Sequence, residues 1–454
     1  MTMALRAALL ALFKRSTQTI LIAGLAMVPA LAQAQTLIRD TEIEAILTEM
    51  TLPLMEAGRM DPSSVRLRLV QDPSVNAFVT STRTIYLHTG LIARLDEPDM
   101  LQAVIAHELG HIIGGHAAAR GVAAQAAGEA SAVGVLASVL MGVVAGPGAG
   151  IAVAAGSQSA VSKQFFATSR ADESAADQTG IRLLEGSGID PAAKIDTLSI
   201  FADQELLPSE RKDPYARTHP YASDRIELLR PLVDRSENTD AQPSEAIARG
   251  YHRIRAKLEG FIDHPADVIS RNEDDPSFEA KLARAIAFQR YPDPDASLGL
   301  LSELLRMRPQ DPFLHELKGQ FQIENGNLTT GIEHYRTALS LRPQSPLIKA
   351  ALGRALVADG TIGSAEEAIR LFDAVTQDDT AVPGVLRARA RAHATLGEDG
   401  LASLAMAQFH TARRSFAEAN RFARSARESL PQGTPAWLRA DDLVNDTNGR
   451  MKRP

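Results

Sequence analysis

The residues best able to do chemistry lie within ten positions, HELGHIIGGH, from His107 to His116. His107 and His111 stand four apart in LQAVIAHELGHIIGGH, whose apolar spacing predicts a helix. Both imidazoles then project from one helix face, about one turn apart, where a single zinc ion can bridge them. Glu108 lies between them and points near the metal without having to bind it. That placement suits a general base acting on water. His116 comes five residues after His111, which rotates it away from the shared face. The longer pattern H-E-x-x-H-x-x-G-x-x-H needs histidine at 117, where Ala117 stands, so His116 reads as structural or as a helix-end partner.

Zinc needs a third protein ligand, and a carboxylate is a common choice. SRADESAADQTG, Ser169–Gly180, places Glu173 and Asp177 four apart on a second predicted helix. Glu173 can bind the metal while Asp177 accepts the outward N–H of a ligand histidine and fixes its tautomer. The same spacing also describes an ordinary solvated helix face, and spacing alone leaves both readings open.

HELGH followed by SRADESAAD resembles the zinc peptidases related to HtpX and the prenyl-protein endopeptidases. NAFVTSTRTIYLHTGLI is similar to their substrate-edge strand and its continuation. THPYASDRI, Thr218–Ile226, resembles their T-H-P followed by arginine, carried here by His219 and Arg225. The resemblance implies that Glu173 is the third zinc ligand, that Asp177 stands behind a ligand histidine, and that His219 and Arg225 join Glu108 in catalysis. Ser81-Thr82-Arg83 departs from the pattern, since many relatives have a glycine-containing turn there. For His219 three readings stay open. A cationic imidazole would stabilise an oxyanion, a neutral one would occupy the open fourth metal position and make the enzyme latent, and a turn histidine before proline would do neither.

Several elements must position these groups. IRDTEIEAILTEMTLPLMEAG predicts a helix within residues 36–60. Ser64–Val70, Asn76–Thr80 and Thr84–Ile92 read as strands, and helix resumes at Glu97. Substrate is expected to pair in extended form along the strand near Thr84–His88, where His88 reads as packing or cleft rim. RSENTDAQPSEA, Arg235–Ala246, reads as a linker. Beyond it, RPQDP (Arg308–Pro312) recurs as RPQSP (Arg342–Pro346), 34 residues later, and Gly319 and Gly326 recur as Gly353 and Gly360 at the same interval. A 34-residue helix–turn–helix period is that of tetratricopeptide repeats. About four units are expected, from near Pro276 to Pro435.

The chain has 454 residues, a formal charge of −7 and no cysteine. Disulfides, thiolate zinc sites and cysteine nucleophiles are therefore excluded, and no basic surface calls for nucleic acid. Arg6, Lys14 and Arg15 precede the apolar run Ile20–Ala32 and the small-residue sequence ALAQAQ, the order of a secretory signal peptide. Residues 130–162 carry no charge. Gly-Pro-Gly at 146–148 divides them into runs too short to span a membrane, so two packed helices are expected, with peripheral membrane contact left open.

The expectation is a signal peptide over 1–34, a peptidase domain over 35–234, a linker over 235–250 and a helical repeat domain over 251–450. The fold class is an α+β, zincin-like metalloprotease domain followed by an all-α tetratricopeptide repeat domain. The tail and the exported N-terminus make the chain resemble BepA-type periplasmic members of the family. That implies a periplasmic zinc endopeptidase degrading misfolded or stalled envelope proteins, with a repeat surface recruiting protein substrates and the outer-membrane assembly machinery. The alternative is a chaperone or assembly scaffold with latent proteolysis.

Overall fold

The computed structural model describes residues 36–80, 83–116, 170–208, 211–375 and 383–451. The expected signal peptide, Ser81-Thr82 and the uncharged stretch 130–162 lie outside the described residues. Among the described residues no helix is long and apolar enough to cross a membrane.

The first part is α+β. Four strands, β1 (Thr36–Ile38), β2 (Arg66–Gln71), β3 (Ala77–Val79) and β4 (Thr84–His88), form one sheet in the order β1-β2-β4-β3. β4 runs parallel to β2 and antiparallel to β3. This corrects the expected substrate edge. β4 is interior, its hydrogen-bonding groups taken on both sides, and β3 is the edge strand beside it.

Helix α1 (Thr41–Ala57) starts later than expected because Asp40 caps it, its side chain accepting from the Ile43 N–H. Two of the residues ahead of that cap, Leu37 and Ile38, are strand. The expected strand through Ile92 stops at His88, where α2 (Thr89–Arg94) begins. Thr89 secures this change by donating its hydroxyl to the Asp72 carbonyl at 2.9 Å. Then come α3 (Pro98–Ile113), α4 (residues 170–186), α5 (Ala192–Ala202), α6 (Pro214–Thr218) and α7 (Ala222–Val233). Leu101, Val104, Ile105 and Leu109 of α3 are fully buried in a core shared with the sheet, α1 and α4. This packing buries the chemistry-bearing helix along most of its length.

Helix α8 (Glu245–Ile262) begins inside the expected linker, capped by Ser244. Its Tyr251, Ile254 and Leu258 complete the first core, and its Ala256 belongs to the next. Charges are buried along the same seam. Arg253 pairs with both Glu42 and Asp311. Lys257 Nζ lies 2.7 Å from Asp40 and 3.3 Å from Glu42. Thr41 donates its hydroxyl to Glu316 at 2.6 Å.

After the short α9 (Pro265–Arg271), helices pair in succession. They are α10 and α11 (Phe278–Arg290, Pro294–Met307), α12 and α13 (Pro312–Glu324, Leu328–Leu341), and α14 and α15 (Ile362–Asp373 following Pro346–Asp359). Next are α16 and α17 (Pro383–Thr395, Asp399–Ala412) and α18 and α19 (Phe416–Ser429, Pro435–Met451). The 34-residue period has a structural meaning at each marker. Asp311 and Ser345 cap α12 and α14, and each helix opens on proline. Gly326, Gly360 and Gly397 take the left-handed conformation between paired helices, at φ 86°, 76° and 74°. At Gly319 and Gly353 the partner helix leaves no room for a side chain: an added Cβ would lie 3.0 Å from the Gly331 carbonyl oxygen and 2.5 Å from the Phe372 ring. The stack continues past Pro435, because α19 covers α18 with Val444 and Ala440.

Candidate metal centre

The apolar stripe of α3 turns His107, Glu108 and His111 inward together, and all three are buried. α4 crosses α3 at Gly110, where an added Cβ would sit 2.5 Å from the Ala176 carbonyl oxygen. Only glycine permits this approach, and the approach brings the α4 carboxylates to the α3 imidazoles. His107 Nε2 and His111 Nε2 are 3.2 Å apart. Glu173 places Oε2 3.3 Å from the first and Oε1 3.4 Å from the second. His219, at the end of α6, brings Nδ1 to 3.1 Å from His107 Nε2 and 3.0 Å from Glu173 Oε2. The ligand atoms of these four residues lie within 4.8 Å of one another, and all four are buried.

The donor set fits a metal ion. Three imidazole nitrogens and a carboxylate converge where few protons are available to satisfy them. The His107 and His111 nitrogens are 3.2 Å apart and each faces an oxygen of Glu173 at 3.3–3.4 Å, close enough for one cation to be shared among them.

Asp177 takes the place expected behind a ligand histidine, with Oδ1 2.8 Å from His107 Nδ1. Its other contacts were not all legible. Arg225 forks onto it, Nε to Oδ2 at 2.6 Å and Nη2 to Oδ1 at 2.7 Å. The same guanidinium reaches Glu173 Oε2 and the His219 carbonyl, each at 3.2 Å. Arg225 thus ties the outer carboxylate, the ligand carboxylate and the histidine turn together, which is a positioning geometry. Sequence reasoning missed Lys194, whose Nζ lies 3.0 Å from Asp177 Oδ1 with its side chain wholly buried. In AAKIDTLSIFA a single lysine gives no signal that it points inward.

The electrostatics follow from burial and these pairings. Burial, and then the Lys194 charge, push His107 down to about 4, which keeps the imidazole in the neutral form a metal needs. Burial works against ionised Asp177, yet Lys194 and Arg225 hold it well below the usual carboxylate range. Glu173 is also held well below that range: burial opposes ionisation, and the His219 charge with contacts from His107 and His111 outweighs it. His219 is raised, because Glu173 and Glu108 overcome the cost of burying its charge. A divalent cation among these atoms would invert that last balance. Neither oxygen of Glu108 has a hydrogen-bond partner among the described residues, and His219 Nε2 is 3.4 Å from Oε1.

The turn that delivers His219 is itself constrained. Tyr221 takes a left-handed φ of 65°, costly for a bulky residue, with the Arg170 guanidinium 4.1 Å over its ring. Arg170 begins the described part of α4, so the ligand helix and the histidine turn are joined there as well. His88 lies apart from the cluster, buried and 3.0 Å from the Ser74 hydroxyl, a packing role.

A buried H-E-x-x-H helix, crossed by a helix supplying a carboxylate and met by a histidine from a third segment, is a site of the metallopeptidase class. Residues 37–233 match the model of Peptidase family M48. A curated relative, the beta-barrel assembly-enhancing protease of Yersinia pestis, is 25% identical over 275 residues, covering 60% of this chain and 56% of the relative. The protein of the same name in Escherichia coli (strain K12) is 25% identical over 315 residues, covering 67% and 63%. The chain therefore matches 56% and 63% of the length of these two relatives. A solved structure described as a thermophilic TPR protein of Thermus thermophilus overlays 37% of this chain and all of its own, at 18% identity and a TM-score of 0.25. The repeat assignment rests on the helix pairs described above.

Proposed function

We propose that the chain is a zinc metalloendopeptidase of the periplasm that degrades misfolded or stalled outer-membrane proteins. Its repeat domain would recruit protein partners from the outer-membrane assembly machinery. The observation that carries the peptidase reading is the convergence of His107, Glu108, His111, Glu173 and His219 in one buried cluster. The relatives' name supports the substrate class, and the signal-like N-terminus supports the compartment. The proposed division is a peptidase domain over 35–234 and repeats over 251–450, joined through 235–250.

His107, His111 and Glu173 would hold zinc, with Asp177 and Arg225 fixing their orientation. When bound, zinc supplies Lewis acidity to the scissile carbonyl and acidifies water. Glu108 takes a proton from water and delivers it to the leaving amine. Its oxygens, without hydrogen-bond partners among the described residues, leave it available for that proton. Substrate would add as a strand at β3, with side chains alternating into the cleft.

The position of His219 favours a second, regulatory reading. Its Nδ1 stands with the ligand atoms, at 3.1 and 3.0 Å from two of them, where a fourth ligand belongs. A site closed in this way is latent, and the chain would then act mainly as a chaperone or assembly scaffold until His219 withdraws.

Elemental analysis of the mature protein, with casein cleavage on the same samples, tests both readings. Zinc at one per chain, lost in Glu173→Ala, is the expected result. Glu108→Gln should keep the zinc and lose cleavage by roughly 10²–10⁴-fold. Faster cleavage in His219→Ala means latency, and slower cleavage means that His219 serves the reaction. Wild-type protein without metal under zinc-replete conditions would end the enzyme reading and leave the scaffold.

A further inference from the structure

The two ligand histidines are supported differently, and the difference assigns a role to His116. A histidine that ligates through Nε2 carries its proton on Nδ1, and that N–H needs an acceptor to fix the ring. His107 has Asp177. At His111 the Nδ1 lies 2.9 Å from Nδ1 of a second imidazole, His116. The two rings meet edge to face, 5.1 Å apart at 76°.

This contact is built by the end of α3. Gly114 closes the helix, and a Cβ there would stand 2.3 Å from His116 Nε2. Gly115 turns the chain with φ 68°, which returns His116 over the helix it has just left. The five-residue offset that rotates His116 away from the metal face therefore places it behind the ligand. To accept from His111, His116 must carry its own proton on Nε2, and Nε2 faces Asp172 Oδ1 at 3.8 Å. α4 thus backs both histidines, His107 directly through Asp177 and His111 through His116 toward Asp172.

We propose that His116 is a positioning residue for the metal site: it accepts the Nδ1–H of His111 and so holds Nε2 toward the metal. This rests on the zinc reading above. The test is zinc affinity of the full-length mature chain, measured by competition with a chromophoric chelator. The thermal midpoint of the chelator-stripped protein is recorded in parallel. His116→Ala is expected to weaken zinc binding by roughly ten- to a hundredfold while leaving the stripped protein's midpoint unchanged. His116→Asn, whose amide oxygen occupies nearly the position of Nδ1, should recover most of the affinity. Affinity within twofold of wild type in His116→Ala would overturn the proposal. So would a lower midpoint with no recovery by asparagine, since that marks packing alone. Wild-type protein that binds no zinc overturns the zinc reading, and this inference with it. A weakened variant that His116→Asn fails to rescue, at constant midpoint, overturns only the acceptor role.

Discussion

Two helix crossings in this molecule look alike and behave differently. At Gly110 the metal-site helices approach until an added Cβ would lie 2.5 Å from the backbone oxygen of Ala176. At Gly353 the helices of a repeat approach until an added Cβ would lie 2.5 Å from Cε1 of Phe372. The first obstacle is main chain, which cannot yield without parting α3 from α4. The second is the rim of a side-chain ring, whose shift need not part the two helices. The surroundings differ too. The metal-site crossing buries Glu108, Glu173, Asp177, Lys194 and Arg225 in single copy, with Arg225 and Lys194 set against the carboxylates of Asp177 and Glu173. The repeat crossing buries alanine, leucine and phenylalanine, and helix pairs of the same kind recur along the stack. A constellation met once has no substitute, whereas a repeated contact shares its load with neighbours.

Gly110→Ala tests the first half of this comparison and should have the largest effect. Overpacking against backbone is expected to cost about 2–3 kcal/mol, seen in chemical denaturation, and to abolish zinc binding. A variant that keeps its metal would show that the crossing can relax after all. Glu316→Gln tests an exception within the repeats, since Glu316 lies on α12 but belongs to the buried seam with Asp40, Thr41 and Lys257. Burial, and then the Asp40 charge, push Glu316 up to about 7 from 4.5. The folded chain then holds a proton that the unfolded chain releases, so this site's contribution is full below 4.5 and is lost as pH rises through about 7. The glutamine variant should gain on wild type across that window, by on the order of 1 kcal/mol at pH 8, read from melting curves at several pH values. An equal gain at every pH would mean that Glu316 stays ionised when buried. Gly353→Ala should do least. Ring displacement is offset by the better helix propensity of alanine, about 1 kcal/mol, leaving a net change under about 1 kcal/mol and unchanged zinc content. A collapse of the repeat stack would erase the contrast with Gly110.

The sequence made these two regions legible to different depths. Helical spacing alone placed His107, Glu108 and His111 on one face, and 34-residue recurrence alone exposed the repeats. Both are local patterns, written within one or two turns or one unit. Glu173 and Asp177 were ambiguous on spacing, because the crossing that makes them useful depends on Gly110 some sixty residues earlier. Lys194 gave no signal, since what buries it is an aspartate on another helix. β4 read as a substrate edge because alternation marks a strand without saying which strands flank it. The start of α8 was hidden by polar composition, although Ser244 supplies an ordinary helix cap.

Asp172, Glu173 and Asp177 ride on one helix, so the proposed ligand carboxylate and the two carboxylates beside it move together. A shift of α4 by one turn would withdraw all of them together. Such a shift would leave His107 and His111 on α3 without the carboxylates that face them. The same linkage restricts heredity, because adjusting one support means moving the ligand it shares a helix with. Paired changes on α3 and α4 are the route by which such a centre could be retuned.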